Sequence, residues 1–255
     1  MISIKTPAEI EKMVVAGRVV AEILQTVKAR VRPGITTREL DQVAYRLCLE
    51  RKVKPAFKGY HGYPFSLCVS VNEEVVHGFP SERKLAAGDI VSLDFGVLQE
   101  GYFSDAALTI PVGPISPQAE KLIRVTREAL FAGLAQAQAG HRLGDISAAV
   151  QERVETGGFS VVRHFVGHGI GRALHEDPQI PNFGESGRGP LLKPGMVLAV
   201  EPMVNAGGYE VEILSDGWTA VTKDRSLSAH FEHTVAVTEN GYRILSQPDS
   251  ETPLF

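Results

Sequence analysis

Four carboxylates stand in stretches that otherwise read as apolar strands. Asp94 follows Ile90, Val91 and Leu93, and Glu201 follows Val197, Leu198 and Val200. Glu232 lies between Phe231 and Thr234-Val235, and Asp105 between Phe103 and Ala106-Ala107-Leu108. A buried carboxylate is costly without a cation, a proton or strong donors. One such acid reads equally well as a polar strand end paired with Arg or Lys. Four of them beside clustered histidines do not. Those histidines are His164, His168, His175, His230 and His233, with His61 and His77 earlier. His168 sits in Gly167-His168-Gly169-Ile170-Gly171, a run that reads as a glycine loop exposing a ligand or proton carrier. The helical His-Glu-x-x-His zinc pattern is absent. The acids outnumber what a single zinc needs. Oxygen-rich ligation suits two hard or borderline divalent ions sharing carboxylate bridges.

The elements that must position these groups repeat. Thr6-Pro7-Ala8-Glu9 predicts a helix start, with a capping threonine, a first-turn proline and a glutamate facing the free amides. Pro33-Gly34 ends that helix, and Thr36 or Thr37 opens a second through about Arg51. Ser116-Pro117 begins the same order again; Ala139-Gly140 breaks it, and a helix with Ile146, Ala149 and Val150 follows. A turn entering a strand occurs as Ala87-Gly88-Asp89 before Ile90–Asp94, and as Pro194-Gly195 before Met196–Glu201. The order implies duplication and divergence. It predicts one catalytic domain over 1–255, with halves at about 7–115 and 116–247. Further strands are predicted at 65–71, 103–110, 161–165, 209–214, 219–223 and 231–237. Asn72 and Gly96 read as turns, Asn240-Gly241 as a hairpin, and Gln247–Phe255 as a loosely held tail. The class is α+β, with helices covering a curved, mainly antiparallel sheet.

Composition removes several functions. The net charge is -4, and no Lys/Arg run forms a nucleic-acid stripe or a polybasic membrane patch. No apolar run approaches a membrane span or a secretory leader. Cys48 and Cys68, the only two cysteines, sit in apolar runs and suit a reducing compartment; the expected location is cytoplasmic.

Together these residues resemble the bacterial-type (type I) methionine aminopeptidases of the M24 metallopeptidase family, which have the pita-bread fold. The marks are Tyr60-His61-Gly62-Tyr63-Pro64, Asn72 through Gly78, Leu93-Asp94-Phe95-Gly96 and Ser104-Asp105. They continue with Gly167 through Gly171, His175-Glu176-Asp177-Pro178, Glu201-Pro202-Met203 and Phe231-Glu232-His233-Thr234. The resemblance implies two divalent ions (Fe, Mn, Co or Zn) held by Asp94, Asp105, His168, Glu201 and Glu232. It implies Glu201 as proton shuttle, His175 as donor to the oxyanion, and His77 at the scissile nitrogen or the next amide. The implied side-chain pocket is Tyr60, Tyr63, Cys68 and Trp218, with His61 and Phe57 near its mouth. Leu174 replaces a commoner aromatic, and Phe57 a commoner smaller residue. Asn72 and Ser228 resemble positions that hold a monovalent cation. The implied substrates are nascent chains and peptides beginning with methionine and a small second residue. Transient ribosome contact and a monomeric state accompany that reading. The alternatives are a proline-specific aminopeptidase of the same fold and a catalytically silent binding relative.

Overall fold

Reciprocal caps start the first two helices. Thr6 Oγ1 accepts from Glu9 N (3.3 Å) while Thr6 N donates to the Glu9 carboxylate (2.9 Å), ahead of α1 (Pro7–Lys28). Thr36 and Glu39 repeat the device ahead of α2 (Thr37–Arg51). Ser116 caps α3 (Pro117–Leu134), and α4 (Leu143–Thr156) follows. The computed structural model describes residues 1–248 and 253–255. Its first strands are β1 (Lys54–Pro55), β2 (Leu67–Val71), β3 (Glu74–Val76), β4 (Ile90–Gln99) and β5 (Tyr102–Pro111). Next come β6 (Ser160–Val161), β7 (Gly167–Gly169), β8 (Glu176–Ile180), β9 (Val197–Val200) and β10 (Met203–Asn205). The last are β11 (Val211–Ile213), β12 (Ala220–Thr222), β13 (Ser228–His230), β14 (Glu232–Thr238) and β15 (Gly241–Ile244).

The central sheet has nine strands in the order β1-β4-β5-β14-β9-β7-β8, with β2 joined to β4 and β15 to β14. Its pairings are antiparallel. The apolar stripe of α1, including Met13, Val20, Leu24 and Val27, lies over β4 and β5. The helix α3 packs on α4 above a second apolar cluster around Leu122, Val125 and Val150. Two smaller sheets, β13-β10-β6 and β11-β12-β3, flank the centre. The α+β class and the helix-covered curved sheet match the sequence reading.

Four expectations need correction. Gly96 is not a turn. It lies inside β4, which runs on to Gln99, and the chain reverses at Glu100-Gly101, where both residues have positive φ (48° and 82°). Glycine is needed at 96 for another reason. A Cβ there would come within 3.0 Å of the Ala56 methyl and 3.2 Å of Asp105 Cβ. His168 is likewise on a strand, β7, rather than in a loop. Its flanking glycines let neighbouring backbones close in: a Cβ at Gly167 would stand 2.5 Å from Ala199 O, and one at Gly169 2.1 Å from Asp177 O. The chain end is not loosely held. Leu254 is buried in the main core, and Phe255 stacks on His233 with centroids 4.4 Å apart. The remainder of the expected tail, 249–252, lies outside the described residues. The strand expected over 161–165 is shortened to β6, and Phe165 instead turns toward the central cavity.

Candidate active site

Strand register brings five side chains onto one face. Asp94 pairs with Ala107 and Gly96 with Asp105, so the two aspartates point to the same side, one diagonal step apart. Glu232 pairs with Ala107 from the opposite edge. The small methyl of Ala107 is all that stands between Asp94 and Glu232 in that row. Val200 pairs with His233, which brings Glu201, just past the end of β9, beside Glu232. His168 pairs with Ala199, two residues before Glu201, and so shares its face.

Their polar atoms face one another without donors. His168 Nδ1 lies 2.9 Å from the Gly169 carbonyl oxygen, which can only accept. Nδ1 therefore carries a proton toward that carbonyl, and Nε2 turns inward. That atom is 3.5 Å from Glu201 Oε1 and 3.7 Å from Asp105 Oδ2. Asp94 Oδ1 and Glu232 Oε1 are buried with no hydrogen-bond partner among the described residues. Asp105, His168 and Glu232 each offer a ligand atom, all within 4.8 Å of one another. Two like charges about 4 Å apart repel by about 4 kcal/mol at an effective dielectric near 20. Only a cation or added protons relieve such a cluster. The donor set, one imidazole nitrogen among carboxylates, fits a hard or borderline divalent ion. Without one, burial pushes the Asp94 and Glu201 carboxyls up to about 8, and it raises those of Asp105 and Glu232 as well.

The surrounding groups hold this face in place. Thr234 Oγ1 accepts from Asp105 N at 3.1 Å and lies 2.8 Å from the Asp105 carbonyl oxygen and 3.1 Å from Oδ1. Asn182 Nδ2 donates to the Glu201 carbonyl (3.0 Å). Such supports fix ligand orientation.

The carboxylates form one wall of a cavity of about 340 Å³. His77 and His175 stand on loop backbone beside it. His77 adopts a left-handed φ of 60°, a conformation costing on the order of 1–3 kcal/mol that clusters at functional sites. Its ring meets the edges of Phe165 (5.4 Å) and Trp218 (6.2 Å), and burial pushes its pKa down to about 4. The His175 ring lies 4.3 Å from that of His168, and its Nδ1 is 2.7 Å from Tyr60 Oη. Desolvation of its inner edge, then the neighbouring His168, pushes its pKa down. Both histidines are neutral at neutral pH.

The apolar wall gathers Phe57, Tyr60, Tyr63, Cys68, Leu174 and Trp218, with His61 exposed at the mouth. Tyr63 is buried, donates to the Gly78 carbonyl (3.1 Å) and meets Trp218 edge-on at 5.1 Å. Two bonds to Asp216 Oδ1, from Trp218 N and Thr219 N, hold the tryptophan's turn. Phe57 and Leu174 belong to one packed cluster with Ala56 and Tyr60.

Fourteen residues named from sequence therefore line one cavity. Asn72 and Ser228 do not. They meet through Ser228 N and the Asn72 carbonyl (2.8 Å), and their side chains bond to Asp89 and Ile90, and to Val204 and Asn205. Several neighbours were not foreseen in their roles. Thr234 supports Asp105, His230 Nε2 lies 3.6 Å from Glu201 Oε2, and Met203, Val166 and Phe165 line the cavity. A period-of-two reading outward from the ligands points to most of them. His230 and Thr234 flank Glu232 at two residues, Met203 follows Glu201 by two, and Val166 precedes His168 by two. Phe165 carries no such signal.

Residues 11–239 match the model of metallopeptidase family M24. The chain is 56% identical over 246 residues to the methionine aminopeptidase of Clostridium perfringens, spanning 96% of this chain and 99% of that one. It is 54% identical over 247 residues to methionine aminopeptidase 1 of Bacillus subtilis, spanning 97% and 100%. The crystal structure of methionine aminopeptidase from Thermotoga maritima superposes with a TM-score of 0.95 at 52% identity, over 96% of this chain and 99% of that one.

Proposed function

This chain belongs to metallopeptidase family M24 and has its pita-bread fold, and from that premise we propose how its residues divide the work. The chain is a metal-dependent aminopeptidase that removes N-terminal methionine. The observation that carries the metal dependence is the convergence of His168 Nε2 on the buried carboxylates of Asp105, Glu201 and Glu232.

Asp94, Asp105, His168, Glu201 and Glu232 are the proposed ligands of two divalent ions, Fe, Mn, Co or Zn. When bound, such ions lower the pKa of water toward neutrality and attract the uncharged terminal amine. Asp105 and Glu232, both buried, would be among the residues that hold those ions.

The remaining steps belong to the protein. The cavity receives one apolar side chain, and a thioether suits the edges of Tyr63 and Trp218. The Cys68 thiol in its wall is raised well above its ordinary value by burial and stays neutral. His175 orients the scissile carbonyl. With Tyr60 Oη donating to Nδ1, its proton sits on Nε2 and is offered to the oxygen that gains charge. His77, neutral, hydrogen-bonds the scissile nitrogen or the next amide. Glu201 takes a proton during attack and returns it to the leaving nitrogen. The rings of Phe165 and Trp218 around His77 restrict the place of the second residue, which supports a preference for small ones.

Nascent chains are the proposed physiological substrates, with only transient ribosome contact. A monomer in the cytoplasm, formed of one catalytic domain with halves at 7–115 and 116–247, completes the reading. It is supported by two buried free cysteines and by the recurrence of the 36–84 backbone bridge as 142–191. A monovalent cation is proposed at the Asn72–Ser228 junction, with backbone carbonyls as its donors.

The test is a peptide panel assayed after chelation and return of single metals. Met-Ala and Met-Gly peptides should be cleaved, and their amine-acetylated forms left intact. Cleavage of X-Pro peptides without Met-Ala cleavage overturns the assignment.

A further inference from the structure

The loop that carries His175 and Leu174, residues 170–175, joins β7 to β8, and its first residues are tied to neighbouring strands by Ile170 N to the Val197 carbonyl (3.1 Å) and Phe103 N to the Gly171 carbonyl (2.7 Å). The turn beyond them is held by the carboxylate of Glu176. Glu176 Oε1 accepts from Arg172 N (2.7 Å) and Ala173 N (3.1 Å), drawing the loop into a tight turn. Glu176 Oε2 accepts from Lys5 Nζ (2.7 Å). The Lys5 side chain is 4% exposed, a rare state for a lysine and tolerable because its charge is paired.

Two further observations show that the chain is shaped around this lysine. Lys5 N donates to the Gly195 carbonyl (2.8 Å), which pins residues 4–5 beside the turn before β9. The backbone of Gly171 leaves room for the stem, since a Cβ there would lie 2.5 Å from Lys5 Cε and 2.9 Å from Nζ. A second clamp comes from α1. Arg172 Nη2 donates to Glu9 Oε1 (3.1 Å), and its guanidinium lies over the Tyr102 ring at 4.8 Å. That clamp is on the surface, where Arg172 is 71% exposed, and surface pairs hold little. The buried pair is therefore the stronger of the two restraints.

We propose that Lys5 is a positioning residue for catalysis: through Glu176 it sets the loop that aims His175 at the scissile carbonyl and seats Leu174 in the side-chain pocket. The proposal assumes the role given above to His175. Lys5 touches neither substrate nor metal ligand. It acts by keeping the Glu176 carboxylate paired, so that both backbone N–H groups stay gathered on Oε1. Removing the ammonium leaves a part-buried carboxylate that turns toward water and loosens the turn. His175 then keeps its bond to Tyr60, but the turn before it loses the carboxylate that gathers its amides. Because metal ligands sit on strands and His175 on this loop, the effect falls on turnover.

Lys5→Met keeps most of the stem and removes the charge. On a Met-Ala peptide kcat is expected to fall by about 10- to 100-fold, with KM within about twofold. Bound metal per folded chain should be unchanged. Glu176→Gln should give the same split, and it carries the test if Lys5→Met does not fold. The double variant leaves no unpaired charge and should regain about fivefold in kcat over Lys5→Met. Single variants with kcat within about twofold of the parent overturn the proposal. So does a loss that matches the fall in folded or metal-loaded protein, or one that the double variant does not relieve. His175→Ala in the same assay separates the premise from the proposal. Near-normal turnover there removes the role of His175, whereas a crippled His175→Ala beside an unaffected Lys5→Met removes only that of Lys5.

Discussion

The two walls of the cavity are built by different means. On one wall, Asp94, Asp105, His168, Glu201 and Glu232 owe their directions to antiparallel register in the central sheet. A slip of one residue would turn each to the other face. On the other wall, His77, His175, Tyr60 and Trp218 stand on turns, each held by a few side-chain or backbone bonds and, for His77, by a left-handed φ. The contrast tracks the forces involved. Mutually repelling carboxylates need a rigid frame that pays for their proximity elsewhere, and a covered sheet supplies it. Groups that meet a changing substrate need only a preferred direction, and loops supply that.

Variants on the two walls should therefore fail differently. The largest effect is expected from Glu201→Gln, which keeps shape and removes the proton carrier. Its thermal melt should stay cooperative while turnover falls by about 10²–10⁴-fold. Near-normal turnover would defeat the proposed role of Glu201. His175→Ala comes next, with a loss of about 10²–10³-fold in kcat and full metal content. Loss of bound metal in that variant, measured by elemental analysis, would erase the distinction between the walls.

The smallest effect is on stability without metal. The Asp94 and Glu201 carboxyls are raised to about 8 in the folded protein, well above their ordinary range near 4. Between those values the folded chain binds protons that the unfolded chain has released, so stability falls as pH rises. Histidines held neutral, such as His77, act only below about pH 6.5. From pH 7 to 8.5 the carboxylates set most of the slope, at up to about 1.4 kcal/mol per unit for each group, and the buried Cys48 and Cys68 thiols add to it in the same sense toward the upper end. The melting temperature of the chelated protein should drop across that window, and a returned divalent ion should abolish most of the drop. A flat profile would mean that the sheet wall carries no such load.

Much of the site is legible before folding. Asp94, Asp105, Glu201 and Glu232 betray themselves because acids are costly inside apolar strands, and that cost follows from composition of the strand alone. The helix starts are equally local: Thr6 with Glu9, and Thr36 with Glu39, form the caps their spacing predicts. Gly96 reads as the reversal between β4 and β5, which lies instead at Glu100-Gly101. Glycine at 96 answers a tertiary need, room for Ala56 and Asp105 Cβ, that imitates a turn signal. His168 was assigned to a loop for the same reason, since its flanking glycines make space for neighbouring strands.

What local sequence determined about this protein is its inventory: which acids and histidines must find a cation, and where the helices begin. Direction and partnership were decided only by the tertiary structure. The row Asp94–Ala107–Glu232 exists because the β4–β5 hairpin and β14, from distant parts of the chain, share one register. The Lys5–Glu176 pair joins residues 171 positions apart. The chain end is likewise buried against His233, although its composition reads as a free tail. Long-range contacts of this kind depend on which surfaces meet, and no local pattern of residues encodes that.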